Sequence, residues 1–365
     1  MGTISPPPLK RRKLSESQTL MTSQDSGSRL TLFSHNINGI APYLQSSITS
    51  FFKPSRGNEA EEHVAAASLR DFLRRHNFPA LLCLQEVKIN PDDDATIRAL
   101  EKAVASAGES DGPGYIVHLC LPSDKYNACG FGRKVYGVAS IIRKDWSDKH
   151  VERVRSVSWD VEGRFSVIEV KDIGPRPLAI YNIYAVNGTE NKYRDPGNGD
   201  VAGTRHDRKL QVHRLLQAEC RALEADGIDI VLAGDLNIAR TTLDGHPNLR
   251  TFPHQHCVNR ADFEDRFFAE PKVATKGEES PSGGLGMIDT FRLLHPTTRA
   301  YSYYPRGKVF GESCDRVDMI LVSRSLSKFV AEAGTLETKA ERGSSDHVPL
   351  YVTLDFGRRE RGDVS

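Results

Sequence analysis

No apolar run in this sequence approaches the length of a membrane span, and the N-terminus lacks the apolar core of a signal peptide. An excess of one charge is also lacking, because Lys and Arg nearly balance Asp and Glu and leave a formal net charge of +1. This balance neither requires nor excludes a polyanionic partner, so any surface for nucleic acid must be a local patch. The absences therefore argue against a membrane protein and leave nucleic-acid binding open.

Cysteine pairs are lacking as well. The six cysteines are scattered, with no C-x-x-C pair and no spacing typical of a zinc site; they are Cys83, Cys120, Cys129, Cys220, Cys257 and Cys314. Several lie in apolar, strand-like segments, where a free Cys behaves as a small hydrophobe. This distribution favours a reducing compartment and argues against a disulfide scaffold.

One folded domain is expected over residues 29–356, between two tails. Residues 1–28 are rich in Ser, Pro, Thr and Gln and poor in large apolar groups, so they are predicted to be disordered, and residues 357–365 are predicted to fray. The first tail contains a compact basic cluster of Lys10, Arg11, Arg12 and Lys13. Such a cluster favours a nuclear-import signal and hence a nuclear protein; a nucleic-acid-binding arm and a solvated charged tail are the alternatives.

Strands dominate the predicted domain. Eight apolar segments predict β-strands, at residues 29–35, 80–85, 137–143, 165–170, 178–186, 228–235, 316–323 and 349–356. Several are apolar on consecutive residues, which is typical of strands buried on both faces in a layered α/β protein. Residues 206–225 carry apolar side chains at helical spacing and are followed by Gly227, which predicts a helix that ends there, and 62–77 is a second predicted helix.

Four short polar islands stand beside apolar runs: SHNINGI (34–40), LQEVK (84–88), GDLNIA (234–239) and SSDHVP (344–349). They place oxygen-bearing side chains and one imidazole where a strand gives way to a loop, at Asn36, Asn38, Glu86, Asp235, Asn237, Asp346 and His347. Asp, Asn and Gly also form ordinary turns, which is the simpler interpretation of any single island. Four together predict a site for a hard divalent cation and a phosphate ester, since loops at strand ends are where active sites are usually built.

The islands, together with NIYAVNG (182–188), MIDTFR (287–292) and CDRVD (314–318), resemble the endonuclease/exonuclease/phosphatase superfamily. Within it, the chain looks most similar to the exonuclease III-type (class II) abasic-site DNA endonucleases, over about residues 29–356. The resemblance implies an α/β fold, namely a four-layer α/β sandwich of two packed mixed β-sheets flanked by helices. It also implies an active site at one end, between loops from both sheets.

The resemblance further implies a Mg²⁺ cofactor, or Mn²⁺ in its place. The residues it assigns to the metal are Asn36, Asn38, Glu86, Asp235, Asn237, Asp346 and His347. Glu86 matches the family's metal-ligating glutamate, and Lys88 is a basic residue that helps to place the metal-ligating carboxylates. Mg²⁺ is bound through one or two carboxylates and keeps several waters, which this set can provide.

Catalytic roles are implied in the same way. Asp235 matches the residue that orients or deprotonates the attacking water, and Asn237 a neighbour that binds the scissile phosphate. His347 matches the imidazole that stabilises the developing charge, with Asp318 as the carboxylate that holds this imidazole. Tyr184 matches the family's tyrosine near the phosphate and belongs to the catalytic set, and the substrate contacts implied are Lys88, Asn187 and Tyr303.

The function expected is therefore that of a Mg²⁺-dependent DNA phosphodiesterase, an abasic-site endonuclease of base-excision repair with 3′–5′ exonuclease or 3′-phosphodiesterase activity. His35 and Asp315 stand where related enzymes often carry aromatic residues, so phosphodiester cleavage is predicted more firmly than abasic-site specificity. The alternatives are a phosphodiesterase for phosphotyrosyl-DNA, RNA or a small molecule, and a scaffold with residual catalysis. Basic residues after Tyr184 are candidate phosphate contacts or surface charges: Lys192, Arg194, Arg205, Arg208 and Lys209.

A second motif overlaps the first island. Residues 45–52 fit the Q-x-x-I-x-x-F-F pattern of peptides that bind sliding clamps such as proliferating cell nuclear antigen, with Gln45, Ile48, Phe51 and Phe52 as the anchors. In such peptides a short helical turn places one aliphatic and two aromatic side chains in an apolar pocket. The alternative is that the three apolar residues pack beneath the loop as part of the core.

Overall fold

The structure, a computed structural model, describes residues 28–44, 68–272 and 282–357. The basic cluster at 10–13, the clamp-binding motif at 45–52 and the first part of the predicted helix 62–77 lie outside the described residues. Within the described residues, no helix is long and apolar enough to cross a membrane.

The strands lie, in chain order, at β1 (Arg29–Asn36), β2 (Leu81–Gln85), β3 (Tyr115–Cys120), β4 (Val138–Arg143), β5 (Val151–Ser156), β6 (Phe165–Val170), β7 (Leu178–Tyr184), β8 (Lys192–Arg194), β9 (Val201–Thr204), β10 (Asp229–Asp235), β11 (Gly245–His246), β12 (Pro271–Lys272), β13 (Ser282–Gly283), β14 (Ile288–Asp289), β15 (Cys314–Asp315), β16 (Asp318–Val322), β17 (Val330–Thr335) and β18 (Leu350–Asp355). The helices lie at α1 (Leu69–Arg75), α2 (Asp94–Val104), α3 (Lys144–His150), α4 (Arg205–Ala225), α5 (Gln255–Phe263), α6 (Thr290–Leu294) and α7 (Lys339–Arg342).

Twelve strands form two six-stranded mixed sheets. The first sheet has the order β17-β18-β1-β2-β4-β3 and the second the order β14-β16-β10-β7-β6-β5. Each has one parallel pair at its centre, β1 with β2 and β7 with β10, and its other pairs are antiparallel. Because parallel strands end at the same edge, each sheet presents two adjacent carboxyl ends to one side of the molecule.

The two sheets pack face to face, with helices on the outer faces. One buried cluster joins residues of both sheets, among them Leu32, Ile180 and Val352. A second cluster packs the second sheet against α4 and α5, and a third packs the first sheet against α1 and α2. These layers confirm the predicted four-layer α/β sandwich.

All eight predicted strands are present, and no observed strand end differs from the predicted one by more than two residues. The longest helix also agrees with its prediction: α4 starts on a Thr204–Asp207 capping box and ends two residues before Gly227, whose φ is +81°. Within the two six-stranded sheets, the sequence pattern did not predict β3, β5, β14 and β17. All four are edge strands.

Candidate active site

The predicted site residues converge at one end of the sandwich. Asn36 is the last residue of β1 and Glu86 follows β2, while Tyr184 and Asp235 are the last residues of β7 and β10. The two sheets meet directly there, since Asn36 Nδ2 donates a hydrogen bond to Asp235 Oδ2 at 3.0 Å. Asp318 begins β16 and is the register partner of Asp235, so an antiparallel strand brings a second carboxylate to the same end.

The backbone at these strand ends is unusual. Asn38, Glu86, Lys88 and Asn237 all have φ between +52° and +55°. Asn tolerates the left-handed region, but Glu and Lys rarely adopt it. Such conformations persist where the surrounding structure imposes them, and they cluster at functional sites. The turn at Glu86 is therefore maintained by its surroundings rather than by its own preference.

The close approach of β7 and β10 depends on Gly234, in the GDLN island. Its φ is +149°, and a Cβ at this position would overlap the carbonyl oxygen of Ile183 on β7. Only glycine leaves room for the two strand ends to lie this close. Gly234 thus helps to place Asp235 beside Tyr184.

A buried polar seam joins the two sheets directly behind the site. Gln85 Nε2 donates to Asn182 Oδ1 at 2.8 Å and to Ser34 Oγ at 3.0 Å. Asn182 Nδ2 in turn donates to the Ala139 carbonyl at 3.0 Å. Gln85 and Asn182 have no exposed surface. Because amide hydrogen bonds are directional, this seam fixes the register of the sheets next to Glu86 and Tyr184.

Amide and carboxylate groups form a connected network in the pocket. Lys88 Nζ lies 3.0 Å from Glu86 Oε1 and also donates to Asn38 Oδ1, whose Nδ2 donates to Asp346 Oδ1 at 2.8 Å. Asn237 donates its backbone N–H to Asp235 Oδ1 at 3.0 Å. The contact predicted between Lys88 and the acidic group is thus present.

His347 and Asp318 form a buried pair. His347 Nδ1 lies 2.7 Å from Asp318 Oδ2. Burial alone would lower the pKa of the imidazole, but the Asp318 carboxylate, with smaller contributions from the other acids, outweighs it and raises the pKa to about 10. His347 is therefore an imidazolium at neutral pH, and its Nε2 lies 4.0 Å from Asp235 Oδ2.

The surroundings raise the pKa of both Asp235 and Tyr184. Burial, followed by the charge of Asp318, raises the pKa of the Asp235 carboxyl to about 7. Burial and the nearby Glu86 charge raise the pKa of the Tyr184 phenol well above its usual value, so this hydroxyl stays protonated. A carboxyl that titrates near neutrality can accept a proton, and a protonated phenol can donate a hydrogen bond to an anion.

The site lines a cavity of about 420 Å³. The predicted residues that line it are Asn36, Asn38, Glu86, Lys88, Tyr184, Asn187, Asp235, Asn237, Tyr303, Asp346 and His347. Asp318 lies behind His347. Residues in the lining that the sequence did not predict are Ile238, Ala239, Arg250, His256, Asn259 and Arg260. The cations among these follow β10, in a segment with no apolar pattern that would have indicated their position.

Three basic residues are not where the sequence placed them. Arg205, Arg208 and Lys209 belong to α4 and are buried. Arg205 bonds to Glu162, and Arg208 bonds to the carbonyl of Trp159. The prediction that these residues are phosphate contacts or surface charges is therefore wrong for the two arginines. Lys209 Nζ donates to the Asn237 carbonyl at 2.7 Å and lines the cavity. Burial lowers its pKa to about 7.

Asp315 has a counter-ion that the sequence did not reveal. Its Oδ2 lies 2.9 Å from Arg250 Nη2, at the cavity wall beside Tyr303 and Val317. The repulsion of phosphate expected from an acidic wall is therefore offset by Arg250. The wall remains polar, in contrast to an apolar lining for a base-free sugar.

Two separate groups of side chains could hold a metal ion. Asp235, Asp318 and His347 offer ligand atoms that all lie within 4.8 Å of one another. His347 would have to lose its proton to serve as a ligand, and its Nδ1 is occupied by Asp318. Glu86 and Asp346, with the amide oxygens of the asparagines, form an all-oxygen set of the kind that a hard divalent cation prefers. The oxygen set matches such a cation in ligand type, and its Asn38 and Asn36 amide oxygens at present accept from Lys88 and from the Asn38 N–H.

Comparisons with known proteins agree with this fold. The profile of the Endonuclease/Exonuclease/phosphatase family matches residues 33–347. The DNA-(apurinic or apyrimidinic site) endonuclease 2 of Bos taurus is 25% identical over 346 residues, covering 89% of this chain and 60% of the relative. The protein of the same name from Saccharomyces cerevisiae is 22% identical, covering 94% of this chain and 70% of the relative.

Solved structures share the architecture. The APE2 catalytic domain of Xenopus laevis superposes with a TM-score of 0.61 at 19% identity, covering 89% of this chain and 92% of that domain. The AP endonuclease LMAP of Leishmania major gives a TM-score of 0.61 at 18% identity, covering 92% and 91%. At these identities the superpositions show a common fold. The chain spans about 60% of the length of several of the curated relatives it matches.

Proposed function

Because the chain belongs to the Endonuclease/Exonuclease/phosphatase family, it is a metal-dependent hydrolase, and we propose that it cleaves phosphodiester bonds of DNA, in particular at abasic sites. The observation that carries the proposal is the meeting of His347, Asp235 and Tyr184 in one cavity beside an all-oxygen acid and amide set. Such a site matches the needs of a phosphodiester, which resists attack because the incoming oxygen meets an anion.

The gap between His347 and Asp235 suits an attacking water and a phosphoryl oxygen. At 4.0 Å, His347 Nε2 and Asp235 Oδ2 are too far apart to bond to each other, and an oxygen placed between them can contact both. Asp235 accepts the proton of the water, and the His347 imidazolium donates to the oxygen on which negative charge develops. Asp318 keeps the imidazole oriented and charged.

Tyr184 and the amides complete the assignment. The Tyr184 hydroxyl donates to a non-bridging phosphate oxygen, while Asn187, Asn237 and Lys88 position the phosphate. Glu86 and Asp346, with Asn36 or Asn38, are the residues that would hold a divalent cation, Mg²⁺ in this proposal. When bound, the cation supplies charge neutralisation of the scissile phosphate and of the leaving oxygen.

The proposal predicts incision of duplex DNA that contains one tetrahydrofuran abasic analogue. The product expected is a single nick at the lesion in Mg²⁺, none in EDTA, and full recovery on adding excess Mg²⁺, measured on a denaturing gel. Shortening of intact 3′ ends without nicking at the lesion would instead indicate an exonuclease. Activity on RNA or a soluble phosphoester, without nicking at the lesion or shortening of intact 3′ ends, would overturn the DNA assignment. Activity on phosphotyrosyl-DNA alone would overturn the abasic-site assignment.

A Glu86→Gln variant tests the cation site. The Mg²⁺ concentration for half-maximal incision should rise by at least about tenfold, because even the loss of an outer partner of a metal ligand has an effect of this size. Direct titration of the protein with Mg²⁺ or Mn²⁺ should show the same loss of affinity.

The matched control for this variant is Glu332→Gln, a surface carboxylate paired with Arg29 at 3.2 Å. It should leave the Mg²⁺ requirement unchanged. If the Mg²⁺ requirement of Glu86→Gln is also unchanged, the cation is instead assigned to the group of Asp235, Asp318 and His347.

We also propose that the protein is nuclear and binds a sliding clamp, on the basis of the basic cluster at 10–13 and the motif at 45–52. Both segments lie outside the described residues, so sequence alone supports these two points. The double variant Phe51→Ala/Phe52→Ala should lose at least 90% of clamp pull-down while its incision rate and thermal midpoint stay unchanged. Loss of the fold in this variant would favour the core-packing alternative instead.

A further inference from the structure

Two phenylalanine side chains are left in solvent near the cavity. Phe131 is 101% exposed and Phe252 is 88% exposed, more than any other large apolar side chain of the described residues. A single exposed apolar residue is common, but a phenyl ring with no packing partner gains nothing from burial in the folded protein. Neither ring is needed for the core.

Phe252 lies on a loop that lines the cavity, and Phe131 lies on a loop that packs against site residues. Phe131 belongs to the segment 121–137 between β3 and β4, which includes Tyr136. The Tyr136 ring lies 6.1 Å from that of Tyr184, and its carbonyl accepts the N–H of Lys88 at 2.9 Å. This loop is thus bonded to the Glu86 side of the site.

Phe252 belongs to the other sheet's loops, between β10 and α5. It follows Arg250 by two residues and precedes His256 by four, and both of these line the cavity. The Arg260 side chain donates to the Arg250 carbonyl at 2.7 Å and to that of Ala239 at 2.7 Å, which fixes the loop. The two phenyl rings therefore come from loops of different sheets, one that lines the cavity and one that contacts Tyr184 and Lys88.

Within these two loops, the exposed side chains that are charged at neutral pH are Lys or Arg. The exposed ionisable side chains in 121–137, Tyr126 and Cys129 aside, are Lys125, Arg133 and Lys134, and those in 245–256 are His246, Arg250 and His254. Arg133 is paired with Asp92 at 2.7 Å and Arg250 with Asp315 at 2.9 Å. The Arg133 pair is exposed, so it is weak and can exchange for a phosphate, whereas Asp315 is buried and keeps Arg250 at the cavity wall.

An aromatic ring in a cationic setting matches nucleic acid better than an apolar protein partner. Neither ring has a second large exposed apolar residue within four positions along the chain, and Tyr126 lies five positions before Phe131. Neither loop therefore carries a continuous run of exposed apolar residues. Bases offer faces for stacking and phosphates offer charge for the cations. The chemistry of both loops is that of a strand-binding surface.

We propose that Phe131 and Phe252 stack on bases of the DNA substrate at the two borders of the cavity, where they hold the strand so that the scissile phosphate faces His347. This inference rests on the proposed function, since it takes DNA as the substrate. The neighbouring cations bind the flanking phosphates. The rings thus determine binding to a polymeric substrate and take no part in the chemical step.

The test uses the full chain and a tetrahydrofuran duplex with 2-aminopurine beside the lesion. Phe131→Ala and Phe252→Ala should each raise KM for incision by about tenfold, the effect of removing one base–aromatic stack, with kcat within about threefold. The change in 2-aminopurine fluorescence on binding should be smaller in the variant that lacks the ring next to the labelled base. Turnover of a small phosphodiester, bis-p-nitrophenyl phosphate, should be unchanged.

Conservative variants and a control separate stacking from other effects. Phe131→Tyr and Phe252→Tyr should restore KM, whereas the leucine variants should not. Leu293→Ala removes a 43% exposed apolar side chain on α6 that does not line the cavity, and it should leave KM unchanged.

Two results would overturn the inference while the proposed function stands: a KM within twofold of the wild-type value in both alanine variants, or full recovery by leucine. Absence of DNA cleavage by the wild-type protein would overturn both proposals.

Discussion

Asp235→Asn is expected to lower the turnover number for DNA incision by about 10²- to 10⁴-fold, the range typical of a positioned general base. The amide has nearly the same shape but cannot accept the proton of the attacking water. KM should change little, because the phosphate contacts of Tyr184, His347 and Asn187 remain. Single-turnover incision of the tetrahydrofuran duplex in saturating Mg²⁺ measures the effect.

The fold of this variant should persist. Asn36 can still donate to the amide oxygen at position 235, and the bond most at risk is the 3.0 Å one from the Asn237 N–H. A lost hydrogen bond of this kind costs about 1 kcal/mol. Asp148→Asn, at an exposed position on α3, is the matched control and should be fully active. Turnover within threefold of wild type in Asp235→Asn would remove this residue from the role of general base.

Arg316→Met is expected to lower the free energy of unfolding by about 3–5 kcal/mol, as removal of one partner from a buried ion pair typically does. Arg316 is 2% exposed and bonds to Asp244 at 2.7 Å and to Asp289 at 2.6 Å. Burial would raise the pKa of the Asp244 carboxyl, but Arg316 and Arg292 outweigh it and lower the pKa to about 2. Without Arg316, two buried carboxylates lose a shared cation. Equilibrium denaturation in urea measures the change.

Arg324→Met is the matched control for this prediction. Arg324 lies 2.6 Å from Glu270, and the two side chains are 57% and 74% exposed. A surface pair of this kind contributes about 0–1 kcal/mol. Equal effects of the two substitutions would show that the buried network around Arg316 does not stabilise the fold as argued. Arg316 also lies between Asp315 and Val317 of the cavity wall, so its loss should disturb the substrate pocket as well.

The interior of the fold was predictable from sequence, and its edges were not. The eight predicted strands include every central strand of both sheets, because burial on both faces produces consecutive apolar residues. β5 shows why the rest failed: none of its residues is fully buried, and its sequence VERVRS carries three charges. An edge strand pairs on one side only, and charged side chains there prevent association with other chains.

The acidic and amide part of the site was predictable because three islands follow a buried strand and the fourth, at 344–349, directly precedes one. The part with Arg250, His256 and Arg260 was not predictable, since these residues follow β10 in a segment without regular apolar spacing. Arg205 and Arg208 mislead in the other direction. Their charges suggest a solvated loop, but inside the protein Arg205 bonds to Glu162 and Arg208 to the carbonyl of Trp159. Charge in a sequence indicates solvent exposure only when no buried partner exists, and partners distant in the chain are not visible in the sequence.

The pairing of the first strand with the last has a consequence for how the protein is made. β1 lies between β2 and β18, and the Ser345 hydroxyl bonds to the Asn36 carbonyl at 2.6 Å across 309 positions of the chain. During synthesis, β1 therefore keeps an unpaired edge until the segment with Asp346, His347 and β18 has been translated. A nascent chain that already carries Glu86 and Asp235 still lacks the imidazolium. Hydrolytic competence on the ribosome, close to nucleic acid, is thereby delayed until the fold is nearly complete.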